Sequence, residues 1–116
     1  MALFEGTTTT VGATTSPLLI YPMAEDVNIY CDIIIVGIDN LTNCAQFDRI
    51  MRVKRANGAT PVIFDNPKNN EYRESGASGW SYAIVPVVDG FEIRVTGAAG
   101  KTINWFAEVH SRQIVF

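Results

Sequence analysis

Apolar and polar side chains alternate with a period of two residues along much of the chain, and this constrains the fold more than any other feature. The clearest run spans residues 91–96, where Phe91, Ile93 and Val95 alternate with polar neighbours. Successive side chains of a β-strand point to opposite faces, whereas a helix requires apolar residues three or four positions apart. The alternation therefore predicts strands with one buried face, and no segment has the spacing that predicts a helix.

Tight turns are marked by two dipeptides, Asn57-Gly58 and Asp89-Gly90. Short hairpin turns require positive φ, which Asn, Asp and Gly tolerate best. Seven or so short strands joined by turns of this kind predict an all-β fold, an antiparallel β-sandwich. Jelly-roll and immunoglobulin-like connectivities both fit this pattern of turns.

Irregular backbone is predicted at three places. Arg49 and Ile50 break the alternation within residues 45–55, which predicts a bulge there. Pro86 has no backbone N–H to donate, so residues 80–88 are predicted to form an edge or bulged strand. Residues 65–79 are polar and contain several Asn and Gly residues, which predicts a long loop.

Composition limits the function classes. The chain has 116 residues, the size of one domain, and its 47% hydrophobic and 18% charged residues exclude global disorder. Its net charge of −3 gives no basic field for non-specific nucleic-acid binding. Apolar runs such as residues 33–36 are far shorter than the ~20 residues of a membrane-spanning helix. The first five residues lack the basic and apolar regions of a secretory signal, so we expect no nucleic-acid partner, no membrane partner and no secretion.

The first 17 residues differ in composition from the rest, because they are small, rich in threonine and nearly uncharged. Such a segment cannot build its own core, which predicts an extended arm over residues 1–17 and a β-sandwich domain over residues 18–116. Leu3 and Phe4 give the arm an apolar tip. The arm is either a frayed terminus or, as we favour, a segment that orders on a neighbouring subunit.

Apolar residues at outward positions predict a partner interface. The run Ile33-Ile34-Ile35-Val36 is apolar on both faces of its strand, and Phe106 lies on the outward parity of the last strand. Together with the arm and the short run after Pro17, these positions predict contact with another protein chain. The predicted interface residues are Leu3, Phe4, Leu18, Leu19, Tyr21, Ile34, Val36 and Phe106.

Candidate chemistry is sparse. Residues 97–102 end like a phosphate-binding loop, but the first glycine of that motif is replaced by Val95 and a strand follows instead of a helix. Cys31 and Cys44 are thirteen residues apart, and both are predicted to be reduced thiols, with a cross-strand bond as the alternative. His110, the single histidine, is predicted to be a solvent-facing strand residue. The sequence therefore predicts no catalytic residue, no cofactor and no metal site.

Two further clusters have two interpretations each. An aromatic group is either a sugar-binding strip or core filling, and it consists of Tyr72, Trp80, Tyr82 and Phe91. A basic cluster near the Asn57-Gly58 turn is either a solvated face or a contact for an acidic partner, and it consists of Arg49, Arg52, Lys54 and Arg55.

The C-terminal segment resembles small β-sandwich domains of tailed-bacteriophage virion proteins. In that pattern a strand ends in V-T-G, here Val95-Thr96-Gly97, and a small-residue loop leads to a strand reading I-x-W-x-A-x-V, here Ile103 to Val109. Residues 47–58, FDRIMRVKRANG, look like the preceding strand and basic hairpin of the same domains. Such domains occur in tail fibres and spikes, and similar ones occur in capsid decoration (cement) proteins.

A short sandwich with a Thr-rich arm and no fibre shaft is most similar to the cement type. That resemblance implies a non-enzymatic trimer on the capsid surface of a virion, made in the host cytoplasm, whose partners are its own copies and the major capsid protein. Two other functions stay open at this point. One is a tail-fibre, spike or baseplate domain that binds a receptor, and the other is a carbohydrate-binding module that uses Trp80 and Tyr82.

Overall fold

The computed structural model describes residues 2–115, with the side chains of residues 65–69 and 115 outside the description. Eight strands and one short 3-10 turn (Ser75–Ala77) make up its regular structure. The strands are β1 (Ala2–Val11), β2 (Thr15–Pro22), β3 (Val27–Asp39), β4 (Cys44–Arg55), β5 (Val62–Arg73), β6 (Ser81–Val87), β7 (Gly90–Thr96) and β8 (Thr102–Val115). The predicted all-β class is confirmed.

The strands form two antiparallel sheets that pack together as a sandwich. The larger sheet has the order β1-β8-β3-β4-β5, and the smaller one has the order β2-β7-β6. The last strand lies between β1 and β3, so the centre of the larger sheet is built from strands far apart in sequence. Within the described residues, no helix has the length and apolar character that crossing a membrane requires.

The core lies between the two sheets and contains the inward side chains of nearly every strand. Trp80 and Trp105 meet edge to face at its centre, with ring centroids 5.9 Å apart. Phe47 and Phe91 are the next largest fully buried side chains. The apolar residues that the two-residue period places on one face, such as Phe91, Ile93 and Val95, are buried as predicted.

The N-terminal segment is extended, as predicted, but it differs from an arm that orders on a neighbour. Strand β1 pairs with β8 of the same chain along its whole length, from Ala2 opposite Ser111 to Val11 opposite Thr102. The backbone groups of β1 that face β8 therefore find partners in the sheet ladder without another subunit, while its other side is an edge of the sheet. At Gly12, which has a φ of 70°, the chain turns and crosses to β2 in the other sheet.

Close contact between β1 and β2 joins the two sheets along one side. A side chain at Gly6 would place its Cβ 2.2 Å from the carbonyl oxygen of Leu18, so only glycine permits this approach. Thr8 Oγ1 and Ser16 Oγ are hydrogen-bonded across the same contact at 3.2 Å. The low-complexity composition of the first residues thus suits an edge strand that must lie close to its neighbour.

The predicted turns are present, and the predicted irregularity in β4 has its extra residues in the partner strand. Gly58 has a φ of 73° in the β4–β5 turn. Strands β6 and β7 are joined through Val88 and Asp89, one residue earlier than the predicted Asp89-Gly90 turn, and neither Asp89 nor Gly90 has the positive φ that was expected. The β4–β5 register shifts between Arg49 and Met51. The β5 partners of these two residues are four positions apart, so β5 has two extra residues at this point. The predicted loop over residues 65–79 is wrong in its first half, because pairing with β4 extends β5 to Arg73.

Asp39 holds the connection between β3 and β4 together. Its carboxylate accepts hydrogen bonds from the backbone N–H groups of Leu41 and Asn43, each at 2.9 Å, and from Asn43 Nδ2 at 3.1 Å. Lys101 Nζ, before β8, lies 3.5 Å from the same carboxylate. Burial by itself raises the pKa of an aspartate, but these hydrogen bonds and Lys101 hold the pKa of Asp39 below its ordinary value.

Asp39→Asn is expected to make folding less sensitive to acid. Because the pKa of Asp39 is lower in the folded chain, its contribution to stability is present above the unfolded value of about 3.9 and is lost as the pH falls through the folded value. Urea-unfolding free energies should therefore decline less steeply below about pH 4 in the variant. Asn40→Ala, exposed in the same connection, removes no titrating group, so it is the control and should keep the wild-type slope. Equal slopes for all three proteins would contradict this role of Asp39.

Candidate docking surface

The outer face of the five-stranded sheet is the candidate functional site. It is the face turned away from the smaller sheet, and alternate residues of five antiparallel strands project from it. Strand β3 runs through its middle, between β8 on one side and β4 on the other. The residues of β3 that project outward are Asn28, Tyr30, Asp32, Ile34, Val36 and Ile38.

Most of the exposed large hydrophobic side chains belong to this outer face. Among the side chains that the structure describes, eleven large hydrophobic residues are exposed, and eight of them lie here. These eight are Leu3, Val11, Tyr30, Ile38, Val62, Phe64, Tyr72 and Ile114. Ile34, Val36 and Phe106 add half-buried apolar surface between them. A concentration of this kind on one sheet face is typical of a surface that another protein covers.

Charges on the outer face are separated into levels, where a level is a set of side chains opposite one another on β8, β3 and β4. The basic level consists of Arg112, Tyr30 and Arg52, which are Cα partners across the three strands. Lys54 extends it by two positions along β4. All of these side chains are exposed, so this end of the face presents cations around an aromatic ring.

The acidic level lies four residues along β3 from the basic level. It consists of Glu108, Ile34 and Asp48, with Glu5 of β1 opposite Glu108 on the far side. Arg49 borders this level, since it lines the same depression as Asp48. Between the two charged levels lies a central level of His110, Asp32 and Ile50. The sign of the charge therefore reverses along the strand direction, over a distance of about 14 Å at ~3.4 Å per residue.

The apolar level follows on the far side of the acidic level. Val36 and Phe106 are Cα partners there, with Thr7 of β1 beyond Phe106 and Gln46 of β4 beyond Val36. The outer face thus runs from cations through acids to apolar residues along its long direction. Such an order of levels allows a protein partner to be held in one register.

Shallow depressions follow the strands across this face. One of about 590 Å³ is lined by Tyr30, Asp32, Ile34, His110 and Arg112. Another of about 370 Å³ lies at the apolar level and is lined by residues that include Val36, Ile38 and Phe106. Both are open to solvent along the sheet, so their shape suits protruding side chains of a protein rather than an enclosed small molecule.

Five of the eight residues predicted to form a partner interface are placed as surface or near-surface residues. Leu3 is exposed, whereas Ile34, Val36 and Phe106 are half-buried on the outer face. Phe4 is half-buried on the opposite side of β1, and its ring centroid lies 4.4 Å from that of Tyr21. The outer face brings together Leu3, Ile34, Val36 and Phe106, and it does not include Phe4.

The other three predicted interface residues are corrected by the structure. Leu18, Leu19 and Tyr21 have 5%, 6% and 3% of their surface exposed, so they belong to the core and cannot meet a partner. Both Leu18 and Leu19 are buried because the β2 register shifts there. The Tyr21 hydroxyl lies 2.6 Å from Ser111 Oγ, and burial raises its pKa more strongly than this hydrogen bond lowers it.

The aromatic group that the sequence offered as a sugar-binding strip is divided by the fold. Trp80 and Phe91 are 1% and 0% exposed, and Tyr82 packs against Phe47 with ring centroids 4.9 Å apart. Tyr72 is exposed on the outer face of the other sheet. Core packing therefore accounts for Trp80, Tyr82 and Phe91, and they form no exposed aromatic strip.

The structure also shows the surroundings of the two cysteines and of His110. Cys31 and Cys44 are free, as predicted, and burial raises the pKa of Cys31 to about 12. Burial and then the nearby Glu74 raise the pKa of Cys44. His110 lies half-buried on the outer face with Nε2 2.6 Å from Glu108 Oε1. Among the described residues, no three His, Cys, Asp or Glu side chains are grouped to hold a metal ion.

The sequence analysis grouped Arg52 and Lys54 as a possible partner contact, but it did not place Tyr30 and Arg112 beside them, and it missed part of the apolar surface. Tyr30, Arg52 and Arg112 come from three strands, and only the register of β8 against β3 brings them together. The alternating pattern predicts that Tyr30 points to the same face of its strand as Ile34, and that Arg52 points outward from β4. The face of each residue could therefore be predicted from the sequence. The missing information was which strands are neighbours.

Comparisons with protein-family models, with curated proteins and with solved structures each gave no significant match.

Proposed function

We propose that this chain is a non-enzymatic structural protein of a bacteriophage virion, of the capsid cement type, which acts by docking through the outer face of its larger sheet. The observation that carries the proposal is the concentration of eight exposed large hydrophobic residues on this one face, ordered beside segregated charges. A protein that binds other proteins needs such a surface. The resemblance of residues 88–109 and 47–58 to virion domains supplies the setting.

The size of the molecule supports a docking role. It measures 47 × 24 × 20 Å, and the outer face spans its two longer dimensions. A stable protein–protein contact needs roughly 600–1,000 Å² from each partner, which a face of these dimensions provides. Repetition of the same contact over a symmetric shell would add avidity to each individual contact.

We also propose jelly-roll connectivity for the sandwich. Strand β1 pairs with β8, β2 pairs with β7, and β4 pairs with β5. This pairing of first with last strand, and so on inward, is the one that results when a long hairpin of eight strands folds over on itself. The chain departs from the full pattern because β6 pairs with β7 rather than with β3. The nested pairs support the jelly-roll alternative over the immunoglobulin-like one.

Immunogold labelling of virions purified from the source of this gene is the experiment that tests the function. We expect antibody raised against the chain to label capsids at regular positions, and mass spectrometry of the particles to detect it in many copies. Gold confined to tails would replace the cement role by the tail-fibre or baseplate alternative. Virions without the protein would overturn the proposed function altogether. Labelling with pre-immune serum is the control.

A further inference from the structure

We propose that a second copy of this chain covers the outer face of the five-stranded sheet, packed about a two-fold axis that crosses the strands at the level of Asp32. The inference rests on the proposed docking role of that face and names its partner as a second copy of the chain, so that contact of the resulting dimer with a shell would use the surfaces that remain uncovered. It is carried by the order of the levels, since the basic and acidic levels lie two residues on either side of Asp32. A two-fold interface requires a surface that is complementary to itself.

The charges at the basic and acidic levels are complementary under this rotation, whereas Asp32, which lies on the axis, faces Asp32 of the second copy. An axis across the strands keeps each strand over the same strand of the second copy and exchanges positions equally distant from Asp32. Arg112 on β8 therefore lies over Glu108 of the second copy, and Arg52 on β4 lies over Asp48 of the second copy. Each pair occurs twice, so four cation–carboxylate contacts form across the interface.

Apolar residues are matched by the same rotation. Ile34 lies over Tyr30 of the second copy in the middle strand. Two positions further from the axis, Phe106 lies over Ile114 of the second copy, because these residues are four positions before and after His110. On β5, Tyr72 is opposite Gln46 and Val62 is opposite Lys54, and these two β4 positions lie four residues on either side of Ile50. Tyr72 therefore lies over Val62 of the second copy. These apolar side chains thus meet apolar side chains, whereas Val36 and Phe64 lie over the uncharged Asn28 and Asn70 of the second copy.

The other two-fold arrangement of the same face is disfavoured. An axis along β3 would place β8 of one copy over β4 of the other. Arg112 would then meet Arg52, and Glu108 would meet Asp48, at the basic and acidic levels. Like charges brought together at an interface are repulsive, and Asp32 faces Asp32 of the second copy under either axis. The basic and acidic levels alone distinguish the two arrangements, and they favour the axis that crosses the strands.

The area that the arrangement covers is that of a standard interface. Residues 28–36 of β3 span about 27 Å at ~3.4 Å per residue. Over the 24 Å width of the molecule, this gives on the order of 650 Å² from each copy. Stable complexes bury roughly 600–1,000 Å² from each partner. The three strands that carry the levels cover only about 14 Å of that width at ~4.8 Å per strand, so β1 and β5 must also be covered to reach this range.

Sedimentation equilibrium of the wild-type chain and of charge variants tests the inference. We expect a wild-type dimer, and Arg112→Glu should weaken it about tenfold or more by placing two carboxylates together. Adding Glu108→Arg to the same chain should restore the dimer, because the rotation pairs these two positions. Under the axis along β3, Arg112→Glu would instead strengthen association. Circular dichroism confirms that each variant is folded.

A mixing experiment gives a second, independent test. The variant Arg52→Asp/Arg112→Glu has acids at both charged levels, and Asp48→Arg/Glu108→Arg has cations at both. Each is expected to be monomeric alone, and an equal mixture is expected to form a heterodimer. A wild-type monomer, or association unchanged by these substitutions, would overturn the inference. If the chain is monomeric but antibody still labels capsids, the second copy is not the partner and the virion function stands. If the chain forms the dimer but is absent from virions, the dimer stands and the virion function is overturned.

Discussion

Trp105→Ala is expected to lower the free energy of unfolding by about 3–5 kcal/mol, the usual range for removing a large buried aromatic side chain. Trp105 is 2% exposed and packs edge to face on Trp80, so its ring joins the two sheets. Its indole N–H also donates to Thr10 Oγ1 at 2.9 Å, which ties β1 to β8. Truncation would remove the packing and leave the Thr10 hydroxyl without this donor.

Urea unfolding followed by far-ultraviolet circular dichroism measures this loss without relying on tryptophan fluorescence. Val88→Ala is the control, because that apolar side chain is 74% exposed in the β6–β7 connection, outside the docking face, and it should change stability by no more than about 0.5 kcal/mol. A loss below about 1 kcal/mol for Trp105→Ala would contradict the position of Trp105 at the centre of the core.

Gly37 provides a test of the same contact from the other side. A Cβ at Gly37 would lie 2.7 Å from the Trp105 ring, so Gly37→Ala should destabilise the wild-type protein. In a Trp105→Leu background the substitution should cost less, because the ring that it meets is gone. The difference between the two costs is the coupling energy of the pair. Gly79→Ala, where no atom lies within 4 Å of the new Cβ, should give no coupling to Trp105.

Local features of the sequence predicted most strands and both hairpin turns. These features depend only on residues that are adjacent in sequence, so they can be predicted without knowledge of the fold. They include the two-residue period of residues 91–96 and the turns at Gly58 and Asp89. Strand β1 and the second half of β5 were missed because their sequences are polar or rich in threonine. Their strand conformation comes from pairing with β8 and β4, which are elsewhere in the sequence.

The candidate site was predicted in part for the same reason. Parity along one strand identified Ile34, Val36 and Phe106 as outward residues. The position of β8 between β1 and β3 could not be read from the sequence, and it is this position that brings Arg112 opposite Tyr30. Arg55 shows the converse error, because its place in a basic cluster suggested a solvated or partner-binding face, whereas the structure buries it.

Arg55→Met is expected to lower the free energy of unfolding by about 3–5 kcal/mol, since hydrogen bonds from a charged donor contribute about 1.5–3 kcal/mol each. Arg55 Nη1 donates to the carbonyl oxygen of Met23 at 2.5 Å, and its Nε donates to that of Ala59 at 3.1 Å. Methionine keeps much of the apolar stem but leaves both carbonyl groups without this donor. The connections before β3 and after β4 would lose their common anchor.

The ion pairs of Arg55 contribute little by comparison. Its Nη2 lies 3.5 Å from Asp89 and 3.8 Å from Glu25, but these carboxylates are 82% and 47% exposed and therefore screened. Arg55→Lys should consequently recover less than half of the loss, because lysine restores the charge without the planar fork that reaches two carbonyls. Arg52→Met, on the exposed face of the same strand, should stay within about 0.5 kcal/mol of wild type in urea unfolding at low protein concentration. Equal losses for Arg52→Met and Arg55→Met would show that charge alone, rather than the buried hydrogen bonds, determines the contribution of Arg55.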